Sequence, residues 1–159
     1  MATGKLRDKE SGVKVVWNGD EVKARAIKLA QHSSFEIGLD VEGTAKRLAP
    51  LDTGRLTASI TTVSGTGQRT KPSGKGAVST DVIDAPSDAF ETFVGSPVEY
   101  AAYMEYGTIK TSAQPYLRPA LDLAKGRAPQ IVQIGARKEF GDYLHPKDQW
   151  KQSPEGFTE

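Results

Sequence analysis

The chain has 159 residues, 37% hydrophobic and 26% charged, the size and composition of one folded domain that buries a core without staples. Its 21 basic residues against 20 acidic ones leave a net charge of +1, which argues against attraction of nucleic acid through bulk charge. With no cysteine, disulfides, thiol nucleophiles and thiolate metal sites are excluded, and no apolar run nears the roughly 20 residues that span a bilayer. The N-terminal MATGKLRDKESG lacks the apolar centre of a secretory signal, so cytoplasmic synthesis is the expectation.

Residues 1–11 are polar and expected to be loose. Val13, Val15, Val16 and Trp17 form a short β-prone run that stops at Asn18-Gly19. Asp20 reads as an N-cap, and Val22, Ala26, Leu29, Ala30, Ser33, Ile37, Val41, Ala45 and Leu48 then recur at helical spacing. That predicts an amphipathic helix of about 28 residues, about 42 Å long, ended by Pro50. Gly38 and Gly43 weaken it unless something packs closely against them. Thr57–Val63 predicts a helical turn running into a strand. Residues 64–89, rich in Gly, Ser, Thr, Lys and Asp, read as a long polar loop or hairpin tip. Phe90, Thr92 and Val94 alternate as on a strand. Pro97 is expected at the first position of a short helix closed by Gly107. Leu117, Ala120, Leu121, Ala124, Ala128, Ile131 and Gly135 keep one helical phase, with Pro119 in the first turn and a kink or break at Pro129. These elements predict an α+β domain over 1–140, its helices packed on a small antiparallel sheet, followed by a polar C-terminal arm over 141–159.

Four features invite a chemical reading. Asp52-Thr53-Gly54 spells the triplet of aspartic proteases, and Phe93-Val94-Gly95 could supply the downstream apolar-apolar-Gly of a homodimeric enzyme. A protease triplet sits in apolar strand, where two carboxylates share a proton. Here Pro50 and a charged helix precede it, and Arg55 beside the carboxylate would disfavour the shared proton. Helix stop, cap by Asp52 or Thr53, and a tight turn at Gly54 is the better account. The stretch around Gly74-Lys75-Gly76 lacks the spacing of a phosphate loop and any flanking strand and helix. Its Arg69, Lys71 and Lys75 stand in a run without acids, suited to a solvated tip or to phosphates or an acidic partner. His32 and His145 have no ligand at metal spacing, and no cofactor is indicated. Tyr100, Tyr103, Tyr106 and Tyr116 cluster near Met104; Tyr100, Tyr103 and Met104 can share a helix face, in a core or at a subunit interface.

Three segments together are similar to a known family: LAPLDTGRL (48–56) with Ser59-Ile60, YAAYMEYGT (100–108) and QPYLRPAL (114–121). Their order, A-P-x-D-T-G-x-L, Y-A-x-x-x-E-x-G-T and P-[FY]-L-R-P-A-L, resembles the small tail-completion proteins, or minor tail and neck components, of long-tailed bacteriophages of the siphovirus kind. The genes of that family lie between those of the head–tail connector and the tail terminator. The likeness covers roughly residues 39–125. Thr57 stands where a basic residue is frequent and Tyr116 where Phe is commoner, while the 64–89 loop and the arm beyond Gly141 lie outside the pattern.

The resemblance implies a non-enzymatic virion protein that joins the DNA-filled head to the tail as a ring around the DNA channel. A homo-oligomer, most plausibly sixfold, is implied, with connector or stopper and tail terminator or tail tube proteins as neighbours. DNA would pass without sequence-specific binding, and no membrane is involved. The protein would reside in the virion neck, after assembly in the host cytoplasm. Pro50, Asp52, Thr53, Gly54, Leu56, Tyr100, Glu105, Gly107, Thr108, Pro115, Leu117, Arg118 and Pro119 then take structural roles. Glu105 is expected to pair with Arg55 or Arg118, and Pro115 and Pro119 to set the approach angle of the last helix. Arg69, Lys71, Lys75, Trp150 and Phe157 become candidate partner or channel contacts, with Trp150 and Phe157 docking on another chain. The alternatives are a homodimeric Asp-Thr-Gly protease and a prophage-encoded terminator-like or connector-associated binding protein.

Overall fold

The computed structural model describes residues 4–7, 14–17, 19–50, 54–79 and 83–144, with side chains over 19–50, 54–79 and 83–141. In chain order, β1 (Gly4–Arg7) and β2 (Lys14–Trp17) precede the helices α1 (Gly19–Leu48) and α2 (Arg55–Ser59). The strands β3 (Thr61–Ser64) and β4 (Thr92–Gly95) follow, then the helices α3 (Ala101–Tyr106) and α4 (Leu117–Leu144). The chain is an α+β protein in which long helices pack on a small antiparallel sheet.

The two long helices run antiparallel. Arg25 donates to the Glu139 carbonyl at 3.0 Å, a Cβ on Gly135 would lie 2.8 Å from Leu29, and Arg127 grips Asp40 at 2.7 Å and Thr44 at 3.0 Å. Gly135 thus sets how closely the helix axes approach. Where α1 reaches the sheet, Gly38 does the same: a Cβ there would stand 2.5 Å from the Thr92 methyl and 2.7 Å from that of Thr62. Gly43 meets nothing within 4 Å, so close packing accounts for one of the two helix glycines only.

Strand β3 pairs β4 from Thr61↔Gly95 to Ser64↔Thr92. All four β3 residues are buried although three are polar. The Glu42 carboxylate of α1, itself buried, accepts hydroxyls from Thr62 and Thr70 at 2.7 Å and pairs with Lys46 at 2.6 Å. Those partners offset the desolvation of a charge beside the core. The core itself gathers Val41, Ala45 and Ala49 of α1's end, Leu56, Ile60, Val98, Ala101, Tyr116, Ala120 and Ala124.

Several expectations are corrected. Gly4–Arg7 is a strand paired with β2, where a loose terminus was expected. Helix α1 begins at Gly19, so Asp20 lies inside its first turn, favourably placed for the helix dipole, and is not the N-cap. Val22, Ala26 and Ala30 of the expected stripe are exposed on the first half of α1, which packs along α4, and Leu48 is exposed at the helix's last residue. The short helix starts at Ala101, after a turn in which Ala101 donates to the Val98 carbonyl, so Pro97 is not its first residue. Helix α4 runs unbroken through Pro129 to Leu144, so the boundary expected at 140 falls within a helix. The 64–89 loop is no free tip over its first half. Thr70 donates to Thr62, Ser64 to Gln68 and Ser73 to Ala58, and Val78 donates to the Ser59 hydroxyl, which straps residues 68–78 over β3 and α2.

Candidate functional site

The second and third motif segments meet where α3 ends and α4 begins. The first turn of any helix leaves backbone N–H groups without intrahelical partners. Here Glu105, reaching across from α3, takes them: its Oε2 accepts from Tyr116 at 2.8 Å and Leu117 at 2.9 Å, and its Oε1 from Arg118 at 3.1 Å. The next residue, Pro119, has no N–H to satisfy, and Ala120 opens the ladder by donating to the Tyr116 carbonyl at 3.3 Å. The three N–H donors at the helix start are therefore satisfied by one carboxylate, and the fourth position is a proline that has none to satisfy.

The loop between the helices is folded to bring this about. Gly107 caps α3 at φ 77°, its N–H on the Tyr103 carbonyl. A Cβ there would lie 2.8 Å from the Ala113 nitrogen and 3.0 Å from the Thr111 carbonyl, so the position demands glycine on two grounds. Thr108 and Thr111 bond each other across the turn, and Gln114 donates to the Met104 carbonyl at 2.8 Å just ahead of Pro115.

Glu105 is only 5% exposed. Burial works against its charge, but the N–H donors of Leu117, Tyr116 and Arg118, with the Arg118 charge, outweigh it and hold the carboxyl below the usual glutamate range. Tyr116, buried beneath the clamp, is pushed up to about 12 by desolvation, then by the Glu105 charge and by Tyr100. The expected Glu105–Arg118 pair is present at 3.8 Å, with the guanidinium lying 4.6 Å from the centre of the Tyr106 ring. Arg118 is largely exposed, however, and the main ligands of Glu105 are backbone amides.

The first motif segment joins through packing. Leu56 enters the same core as Ala101, Tyr116 and Ala120. Gly54 precedes α2 at φ 75°, and Ala58 donates to its carbonyl at 2.9 Å. The N-cap position is thus Gly54 itself; Asp52 and Thr53, expected to cap, lie outside the described residues. Arg55 does not join the clamp; its stem lies against Gly76 of the strap. Of the tyrosines, Tyr100 and Met104 pack against the core, whereas Tyr103 and Tyr106 point outward with Ile109 at the loop tip, correcting the shared face expected for Tyr103. Arg69, Lys71 and Lys75 are exposed on the strap. Trp150 and Phe157, like His145, lie outside the described residues.

The sequence does not single out Glu42 or the Asp40–Arg127 pair, and it places Gly135 on the helical phase without showing its close contact with Leu29. The signal for Glu42 was its place next to Val41 on the apolar stripe, four residues before Lys46. Among the described residues, no group of three or more His, Asp or Glu is assembled as a metal site, and no helix is long and apolar enough to cross a membrane. No protein-family model, curated protein or solved structure matches the chain, and the resemblance rests on the three segments themselves.

Proposed function

We propose that this protein is a tail-completion component of the neck of a long-tailed bacteriophage, a non-enzymatic ring subunit that joins the DNA-filled head to the tail around the DNA channel. The observation that carries the reading is the convergence of the three motif segments on one core and one helix clamp. Each described motif residue has an architectural use there: Gly54 and Gly107 at left-handed turns, Leu56 and Tyr116 in the core, Glu105 and Pro119 at the start of α4. Exposed Tyr103, Tyr106 and Ile109 beside the clamp, and Ile27 and Ile134 on the helix pair, further support a subunit that is completed by neighbours. In this reading the neighbours are further copies in a ring, sixfold to match a tail, with the connector or stopper above and the tail terminator or tube below.

The test is disruption of the coding sequence in the genome that carries it, followed by electron microscopy of the particles. DNA-filled heads beside separate, complete tails are the expected result, and an Asp52→Asn copy supplied in trans should restore joining. Normal virions without the protein would overturn the reading, as would failure of a folded Asp52→Asn chain accompanied by uncleaved precursors.

A further inference from the structure

Among the described residues, β4 pairs with β3 on one edge and with no strand on the other. Gly65 donates to the Glu91 carbonyl at 3.0 Å, and the register pairs Val63 with Phe93 and Thr61 with Gly95. That parity turns the main-chain groups of Glu91, Phe93 and Gly95 toward β3 and those of Thr92 and Val94 away from it. The far side of β3 is already taken by the strap at 68–70. Beside the free edge of β4 runs a groove of about 480 Å³, floored by Ile37, Gly38 and Val41 of α1 and walled by Leu117 and Leu121 of α4. Edge and groove together fit an added strand, which would hydrogen-bond to β4 and place alternate side chains in the apolar channel.

The same chain carries strands that need such a site. β1 and β2 pair with each other, and among the described residues no other element packs on them to a comparable extent. A lone two-stranded hairpin is marginal in water and requires a further strand or a helix to cover it. It cannot use its own groove. Only Asn18 separates Trp17 from the start of α1, and Gly38 lies about 28 Å farther along that helix, whereas four-residue strands span only about 13 Å. Charge favours the same pairing: β1 and β2 hold Lys5, Arg7 and Lys14 and no acid, while Glu91 and Glu99 flank β4, with Arg118 the basic residue on the groove wall.

We infer that copies of this chain associate head to tail, the β1–β2 hairpin of one adding to the β4 edge of the next and covering its groove. Such a contact uses two different surfaces, so it propagates, and it closes into a ring when the rotation between copies allows. The inference rests on the ring-subunit reading for its biological setting but on the edge, the groove and the hairpin for its geometry.

Val94→Pro in the full chain tests it. Proline is tolerated where the lost N–H faces away from the neighbouring strand, so β3–β4 pairing and the circular dichroism spectrum should persist while the docking amide disappears. Native mass spectrometry should find the unsubstituted protein oligomeric and Val94→Pro weakened at least about tenfold in association. The triple charge reversal Lys5→Glu, Arg7→Glu, Lys14→Glu should do the same and covers the case in which Val94→Pro misfolds. A monomeric unsubstituted protein, or oligomers indifferent to the hairpin reversal, would overturn hairpin exchange and leave the neck reading standing. Hairpin-dependent oligomers of a protein that virions do not need would overturn the neck reading alone.

Discussion

Glu105 concentrates at one residue what joins α3 to α4. Hydrogen bonds to a charged acceptor contribute about 1.5–3 kcal/mol each at most, and an amide left buried without a partner costs about as much. The exposed Arg118 partner contributes little by comparison. Glu105→Gln, which keeps the shape but loses the charge, should therefore destabilise the fold by about 1–3 kcal/mol at neutral pH, and Arg118→Ala by less than about 1 kcal/mol. The pH dependence has a definite sign. A carboxyl held below its ordinary value contributes stability that is fully present above the unfolded-state pKa, about 4.3 for glutamate, and is lost as pH falls through the lower folded value. Urea unfolding of both proteins between pH 7 and the acid limit should show their stabilities converging only below about pH 4. A gap that stays constant through the acid range, or an arginine variant as damaging as the glutamine one, would rule out the clamp as the source.

At the scale of elements, the two glycines of α1 make a paired experiment. Alanine is favoured over glycine inside a helix by up to about 1 kcal/mol. At Gly43, where a Cβ meets nothing within 4 Å, Gly43→Ala should raise stability by about that amount. At Gly38 the new methyl would collide with two stiff threonine side chains of the sheet, so Gly38→Ala should lower stability by about 1–2 kcal/mol despite the better propensity. Thermal unfolding that moves both variants in the same direction would refute the close helix–sheet contact.

The same elements show what the sequence could and could not reveal. Both long helices were legible because a 3.6-residue period of apolar residues needs no knowledge of partners. Strand β3 is legible as a strand, but its burial is not: Thr61, Thr62 and Ser64 look solvent-facing, yet Thr62 donates to Glu42, twenty residues earlier, Ser64 bonds the Thr66 hydroxyl, and the buried Thr61 hydroxyl has no partner among the described residues. The strap at 68–78 reads as open loop because most of its ties are main-chain bonds to β3 and α2, joined by single hydroxyls of Thr70 and Ser59, and neither kind leaves a period in side-chain chemistry. The clamp shows the same blindness from the other side. Glu105 is conspicuous in its motif, but the sequence offers only arginines as its visible partners, since backbone donors have no letter of their own.

Across the whole molecule, a net charge of +1 hides a marked segregation. The 76–109 stretch is purely acidic in its charged residues, while Arg69, Lys71 and Lys75 stand together on the strap with no acid between Ser64 and Thr80. A channel that DNA must slide through should present few phosphate contacts, because affinity grows with each neutralised phosphate and tight binding would hold the DNA during ejection. The full chain is accordingly expected to bind duplex DNA no tighter than about 10⁻⁶ M at physiological salt, without sequence preference. Reversal of Lys71 and Lys75 to glutamate should flatten the dependence of log affinity on log salt by up to about two contacts' worth, roughly 1.8 in slope. Fluorescence anisotropy across a salt series measures both quantities. Nanomolar binding would count against a channel that DNA slides through, and a slope indifferent to the two lysines would remove the strap as a candidate DNA contact.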